Sequence, residues 1–310
     1  MKDITSKPET LRSATAQAVL ESAPEYIELL KKRLTEKGDA LEAARFAGTM
    51  AAKRTWELIP LCHQIAMSVV TIDYEFAETK VTVVAHVRAI AATGAEMEAI
   101  TAASVAAITL YDMLKPHAGT NIVIGDVKLI EKTGGKSQYL RYLTRPRKAT
   151  VVLLSDSVSA GTNHDVSGTR ACERLVAAGF DVAGPILLPD EPDRLRQVMR
   201  EQCKIADLVL TVGGTGISPR DTTVDAIEDM LDRKLPGIAE TARAFGQRRT
   251  PFAMLSRAIA GTIKGSLVVT APGSVHGVEE YLDALLPGII HALEVMHGGK
   301  HEHGYQDVVE

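Results

Sequence analysis

Three cysteines in 310 residues, Cys62, Cys172 and Cys203, are too scattered and odd in number to build a disulfide framework or a CxxC metal pair. That usage fits a reducing cytoplasm. An excess of one charge is also missing: the formal net charge is −4 and the basic residues are dispersed, which argues against a nucleic-acid binder or a membrane-surface protein. No apolar run approaches the ~18 residues of a membrane span, and the opening MKDITSKPET lacks the apolar core of a signal peptide. A soluble, unexported, cytoplasmic protein is expected. Aromatic residues make up 4% of the chain, with Trp56 the single tryptophan, so the core must be built from small side chains and is expected to lean on subunit contacts.

The length predicts about two domains. The expected joint is the basic, Pro-interrupted stretch around residues 138–150, with domains at 1–140 and 149–299, a linker at 141–148 and a polar tail at 300–310. Within the tail region, His297, His301 and His303 lie close together, a pattern read as polar tail rather than as a metal site. Before the joint, an extended segment near 14–20 precedes helical spacing over 24–33 and 41–56. Strands over 67–76 and 80–90, a helix over 96–115 and a strand over 122–130 follow. That order is a split βαβ, so a ferredoxin-like α+β domain with a mostly antiparallel sheet is expected. After the joint, apolar strands alternate with amphipathic helices, which predicts an α/β doubly wound, Rossmann-like parallel sheet. Its strands run into SDSVSAG, LLPDE, GGTGISPRD and APGS, four loops that should meet at one sheet edge.

Chemistry-bearing residues occur in both halves. Glu96 and Glu98 open the 96–115 helix, and Asp112 and Lys115 share one of its faces near the other end. A triphosphate would need cations such as Lys37, Lys53, Arg54, Lys115, Lys132 and Lys136. Asp112 with Lys115 suits acid/base work, and His63, Glu96 and Glu98 suit orienting a ring. Structural readings stand beside these: His63 as a hydrogen-bonded core residue, Cys62 as packing, Lys53 and Arg54 as cations at a helix C-terminus, and the two glutamates at a helix start. TGGKS is not a P-loop, because the required first glycine falls on Ile130. In the second half, Gly213, Gly214 and Gly216, with Thr215 and Ser218, form either an anion cradle or a tight strand-to-helix turn; a dinucleotide fingerprint fails at Pro219. Asp190 and Asp221, both expected at strand ends of one edge, tip the reading toward Mg²⁺-nucleotide chemistry.

The set LLPDE, TVGGTGISPRDTTVDA, LPGIAE, MLSR and APGS, spanning 149 to about 299, resembles the molybdopterin adenylyltransferase family. The resemblance implies AMP transfer from Mg-ATP to a pterin dithiolene phosphate, catalytic and metal-holding roles for Asp190 and Asp221, and substrate contacts at Gly213–Gly216, Ser218 and Pro272, Gly273 and Ser274. Val275-His276 stands where that family usually has Pro-Lys. Residues 1–140 resemble cyclic pyranopterin monophosphate synthase through DITSKPETLR, EKGDALEAARFAGTMAAKRTWELIPLCH, GAEMEAITAASVAAITLYDMLK and KTGGKS. This implies conversion of 3′,8-cyclo-7,8-dihydro-GTP to cyclic pyranopterin monophosphate plus pyrophosphate, without a cofactor. It gives Asp112 the catalytic role, assisted by Lys37, Lys115 and Lys132 or Lys136, and lines the substrate site with Leu61, Cys62, His63, Glu96, Met97 and Glu98. Gln64 and Gln138 depart from the usual proline and glycine. Small pterin and nucleotide substrates and a homo-oligomer, trimeric or hexameric, follow from the two resemblances. The alternative is a second half that binds pterin or scaffolds without catalysis.

Overall fold

In a computed structural model the chain divides into two compact units, Met1–Gln138 and Tyr139–Glu310. Residues 1–135 and 146–298 are described; Lys136, the 141–145 part of the expected linker and the tail at 300–310 lie outside them.

The first unit runs β1 (Thr10–Glu21), α1 (Pro24–Lys31), α2 (Ala40–Lys53), α3 (Thr55–Leu58), β2 (Met67–Phe76), β3 (Lys80–Ala91), α4 (Glu96–Ala118) and β4 (Val123–Thr133). All four strands pair antiparallel in the order β2-β3-β1-β4. Period-two alternation in β1 sends Ala14, Ala16, Ala18 and Leu20 inward. Leu20 faces Val81 and Ala18 faces Val83 across the register. Asp39 starts α2 by accepting hydrogen bonds from the Leu41 and Glu42 amides at 3.1 and 3.2 Å. The low aromatic content now has a structural meaning. Helix α4 buries Ala99, Ala102, Ala103, Ala106 and Ala107, and Gly48 of α2 approaches it so closely that a Cβ would stand 2.8 Å from the Ala102 carbonyl oxygen. Among the described residues α4 is the one helix long and apolar enough to cross a bilayer, but more than half of its apolar window is buried, as in a core helix.

The second unit contains β5 (Lys148–Leu154), β6 (Asp181–Leu188), β7 (Leu208–Val212), β8 (Arg233–Lys234), β9 (Ala260–Ile263) and β10 (Ser266–Ala271), in sheet order β6-β5-β7-β10-β9-β8. Strands β6, β5, β7 and β10 are parallel. The expectation of a parallel sheet is corrected toward one edge, where β9 runs antiparallel to both of its neighbours, β10 and β8. The cause is local: β9 and β10 are joined only by Lys264 and Gly265, both at positive φ (50° and 89°), and a two-residue turn joins only antiparallel strands. Apolar side chains pack on both sheet faces, Val151, Leu153, Leu210 and Val269 on one and Val152, Leu154, Val209 and Val268 on the other. Strand order reverses between β5 and β7, which opens a crevice at their carboxyl ends.

Arg147 and Lys148, placed by sequence in the linker, belong to this unit. Lys148 opens β5, and Arg147 is 3% exposed, with its guanidinium 3.2 Å from Glu294 and 3.5 Å from Asp207. His297 is likewise tied down, its ring nitrogens 2.8 Å from the Leu293 carbonyl and 3.1 Å from Asp207.

Candidate active sites

In the first unit the expected residues gather at two places. Asp112, near the C-terminal end of α4, accepts from Lys37 Nζ and from Lys115 Nζ, each at 2.8 Å. Lys37 also donates to the Asp112 carbonyl at 3.0 Å. The Asp112 side chain is 51% exposed, and the hydrogen bonds from Lys115 and then Lys37 hold its carboxyl down at about 2. The same pairing raises the Lys115 ammonium. Exposed ion pairs add little to folding, so a doubly clamped surface carboxylate points to chemistry rather than to stability.

The second cluster lies at the N-terminal end of α4. Glu98 is 4% exposed, and burial pushes its carboxyl up, with the Glu96 charge adding to that. Burial acts on Glu96 too, but the Lys132 hydrogen bond at 2.9 Å and the Arg12 charge outweigh it and leave that carboxyl lowered. Cys62 is raised by burial and then by the charge of Glu98, which places the Leu61–His63 turn beside this end of the helix. Cys62 and His63 are partly buried, Leu61 is 72% exposed, and Met97 is exposed on the first turn of α4. From Glu98 to Asp112 the helix rises about 21 Å at 1.5 Å per residue. One chain therefore does not bring the two clusters together. Sequence reasoning passed over Arg12, which is buried and donates to the Ala91 carbonyl at 3.1 Å; its signal was its place in DITSKPETLR.

In the second unit a cavity of ≈ 1140 Å³ lies over the carboxyl ends of the parallel strands. All four anticipated loops reach it: Ser155–Val158 after β5, Asp190 after β6, Gly213–Gly216 and Asp221 after β7, and Pro272–Ser274 after β10. The glycines are required by space. At Gly213 (φ 105°) a side chain would strike the Leu154 carbonyl oxygen, and at Gly214 (φ 64°) the fully buried Thr223 hydroxyl, which has no hydrogen-bond partner among the described residues. A Cβ on Gly216 would lie 2.8 Å from Asp221 Oδ2.

Three aspartates meet at this end. The Asp156 and Asp190 carboxylates each accept the other's backbone N–H, at 3.0 and 3.3 Å, and Arg220 pairs with Asp156. Burial raises the Asp190 carboxyl, and the charges of Asp156 and Asp221 add to this. Asp221 Oδ2 accepts from the Ser218 amide at 2.8 Å, and Ser218 Oγ accepts from the Arg220 amide at 3.3 Å. Thr215 is buried, and its carbonyl accepts from the Arg257 amide at 2.8 Å. Arg257, quoted from sequence only within MLSR, staples the whole loop. It donates to the Gly216 carbonyl (2.8 Å), the Asp221 carbonyl (2.5 Å) and both Asp225 oxygens (2.9 and 3.0 Å). Ser274 caps the Val275–Met296 helix, accepting from the Gly277 amide at 3.1 Å. Among the described residues no three His, Cys, Asp or Glu side chains group closely enough for an all-protein metal cage. The donor set fits a cation that arrives with phosphates, because Mg²⁺ is commonly held by one or two carboxylates plus substrate oxygens.

Comparison with known proteins separates the same two halves. Residues 1–135 match the MoaC family, and residues 150–291 match the "Probable molybdopterin binding domain". A molybdenum cofactor biosynthesis bifunctional protein of Chlorobaculum tepidum is 40% identical over 302 residues, 97% of this chain and 96% of that one. Its namesake from Synechococcus elongatus is 36% identical over 97% of this chain and 98% of its own length. Cyclic pyranopterin monophosphate synthase 2 of Mycobacterium bovis is 46% identical over 44% of this chain and 81% of its own. With full-length relatives at this identity, the chain belongs to the family of bifunctional molybdenum cofactor biosynthesis proteins.

Proposed function

We propose that residues 1–140 convert 3′,8-cyclo-7,8-dihydro-GTP to cyclic pyranopterin monophosphate and pyrophosphate, and that residues 149–299 transfer AMP from Mg-ATP to the phosphate of molybdopterin. The observation that carries the reading is the pairing of two chemically different sites on two units. One is a lysine-clamped aspartate; the other is a large cavity with a glycine cradle and clustered carboxylates. The first unit is read as ferredoxin-like on its strand order and antiparallel pairing.

At the first site the lysines link substrate binding to proton transfer. While Lys37 and Lys115 hold it, Asp112 is ionised but a weak base. A triphosphate competes for both ammonium groups, and each lysine it draws away lets the carboxyl rise toward its ordinary value, where it can accept a proton during ring rearrangement. Glu98, with its raised carboxyl, is suited to hold a proton at the other cluster. Two clusters about 21 Å apart on one helix cannot grip one nucleotide-sized molecule, so a second copy of the chain is read as completing each site, in keeping with a homo-oligomer.

At the second site Asp190 and Asp221 would hold the cation, and Mg²⁺ supplies neutralisation of the triphosphate charge when bound. The Gly213–Gly216 backbone cradles phosphate, and Arg257 keeps that loop in shape. The reaction balances simply: a pterin phosphate oxygen bonds to the α-phosphorus of ATP, the bond to the β-phosphate bridge breaks, and pyrophosphate leaves. A cavity of ≈ 1140 Å³ has room for both substrates. Three free thiols, Cys62, Cys172 and Cys203, accord with a cytoplasmic setting.

The test is pyrophosphate release by the whole chain, with cyclised dihydro-GTP and, separately, with molybdopterin plus Mg-ATP. Both reactions are expected, the first lost in Asp112→Ala alone and the second in Asp221→Ala alone. Release with the first substrate only would reduce the second half to a binding or scaffolding module.

A further inference from the structure

Adenylyl transfer as read above uses the strand-end loops of the second unit's cavity and leaves part of its lining without a role. That part of the wall is formed by the start of the Val275–Met296 helix and by the segment 246–256. It carries a carboxylate with no evident structural task. Glu280 is partly buried and lines the cavity, and no hydrogen bond or ion pair reaches its side chain from the described residues. Burial raises its carboxyl, while the charges of Arg249 and His276 oppose that. On the same wall Phe252 lines the cavity yet is 71% exposed, its ring stacked on no cation or aromatic side chain among the described residues. Gly246 ties the two together: a Cβ there would lie 3.0 Å from the Ala253 Cβ and 3.5 Å from Glu280 Oε2.

We propose that Glu280 recognises the 2-amino-4-oxo edge of the pterin ring and that Phe252 provides the surface on which that ring stacks. The inference rests on the reading of this unit as a pterin adenylyltransferase. It follows from complementarity. An ionised carboxylate only accepts hydrogen bonds. The pterin edge presents N3–H and the 2-amino group side by side, two donors at the spacing of two carboxylate oxygens. Adenine offers an amino N–H next to the N1 lone pair, which would face a carboxylate oxygen. Glu280 therefore favours the pterin at its own wall and leaves the nucleotide to the Gly213–Gly216 end. Phe252 adds area and a flat face without specifying the edge.

The experiment is direct fluorescence titration of the full-length chain, without ATP, using 6-carboxypterin and 6-carboxylumazine, whose rings differ at position 2, amino in the pterin and oxo in the lumazine, with a proton added at the lumazine N1. The wild type should prefer the pterin by about 10- to 100-fold, the range of one charge-assisted contact made or left unmade. In Glu280→Gln the preference should vanish or reverse, because an amide can accept from N3–H while donating to the 2-oxo group. Phe252→Leu should weaken both ligands alike. ATP affinity, titrated separately, should hold in both variants. Retained pterin preference in Glu280→Gln, equal binding of the two rings by the wild type, or a matching loss of ATP affinity would each overturn the proposal. Because these titrations need no turnover, they stand or fall independently of pyrophosphate release, which tests the adenylyl-transfer reading itself.

Discussion

Asp112 stands on an exposed helix surface between two lysine ammonium groups, whereas Asp190 stands partly buried at a strand end beside the carboxylates of Asp156 and Asp221. The same side chain is driven in opposite directions. Hydrogen bonds from Lys115 and Lys37 hold Asp112 at about 2, and burial with neighbouring negative charge raises Asp190. The difference separates two ways of using a carboxylate. A charge already neutralised by lysines needs no cation and changes its basicity when an anionic substrate draws those lysines away. A charge concentrated among like charges is unfavourable alone and is relieved by a bound cation.

Removing each charge while keeping the shape tests this contrast most severely. Asp112→Asn is expected to lower the synthase rate by about 10²–10⁴, the range for a lost general base, and to leave ATP-dependent pyrophosphate release unchanged. Asp190→Asn is expected to do the reverse, without lowering the thermal midpoint of the second unit, because burial already disfavours the charge it removes. Calorimetry alongside both rate assays decides the matter. A drop of about 2–4 °C in Asp190→Asn, roughly 1 kcal/mol for a unit of this size, would mean that the carboxylate holds the fold together and that the contrast is wrong.

A smaller effect is expected from Arg257→Ala. It removes donors to the Gly216 and Asp221 carbonyls, within the loop that carries Asp221, and the partner of Asp225 in the Thr223–Glu228 helix that follows. The expected cost is about 1–3 kcal/mol in the second unit, with a rise in KM for ATP and no change in the synthase reaction. Unchanged ATP kinetics would show that the loop holds its shape without the staple, and that Asp221 needs no positioning from the sheet edge.

What the sequence made legible was mostly local. The Met67–Phe76 strand and the start of the Glu96–Ala118 helix follow directly from residue periodicity, and Asp112 with Lys115 is an i,i+3 pair. The four loops could be assigned to one edge because doubly wound topology sends strand ends there. What stayed hidden depended on distance along the chain. Residue spacing alone could not bring Lys37 to Asp112 across 75 positions, which only the family resemblance suggested, and Arg257 reaches Gly216 across 41. The two-residue strand Arg233–Lys234 is too short to show a period, and the helix Pro236–Gln247 entered the reading only as the LPGIAE motif. The two-cluster arrangement of the first site also lay beyond sequence, since motif order does not reveal which end of a long helix each motif meets.

Glu98→Gln is the mildest change and asks whether the first unit also contains a carboxylate that burial disfavours. Glu98 is 4% exposed and its carboxyl is raised above the usual 4.5, chiefly by burial. For a folded-state value above the unfolded one, the favourable contribution is complete below the unfolded value and is lost as pH rises through the folded value. Near neutral pH, then, the fold disfavours a charge that the unfolded chain's carboxyl holds freely, a cost that the amide does not carry. The variant is expected to melt higher than the wild type at pH 7, with the gain shrinking to nothing as pH falls below about 4, where both side chains are neutral. Synthase activity should fall at the same time, since a residue kept at a cost to stability is retained for the chemistry it performs. A variant that gained stability and kept full activity would make Glu98 a tolerated structural burden, leaving Asp112 and its lysines as the chemically committed group on that helix.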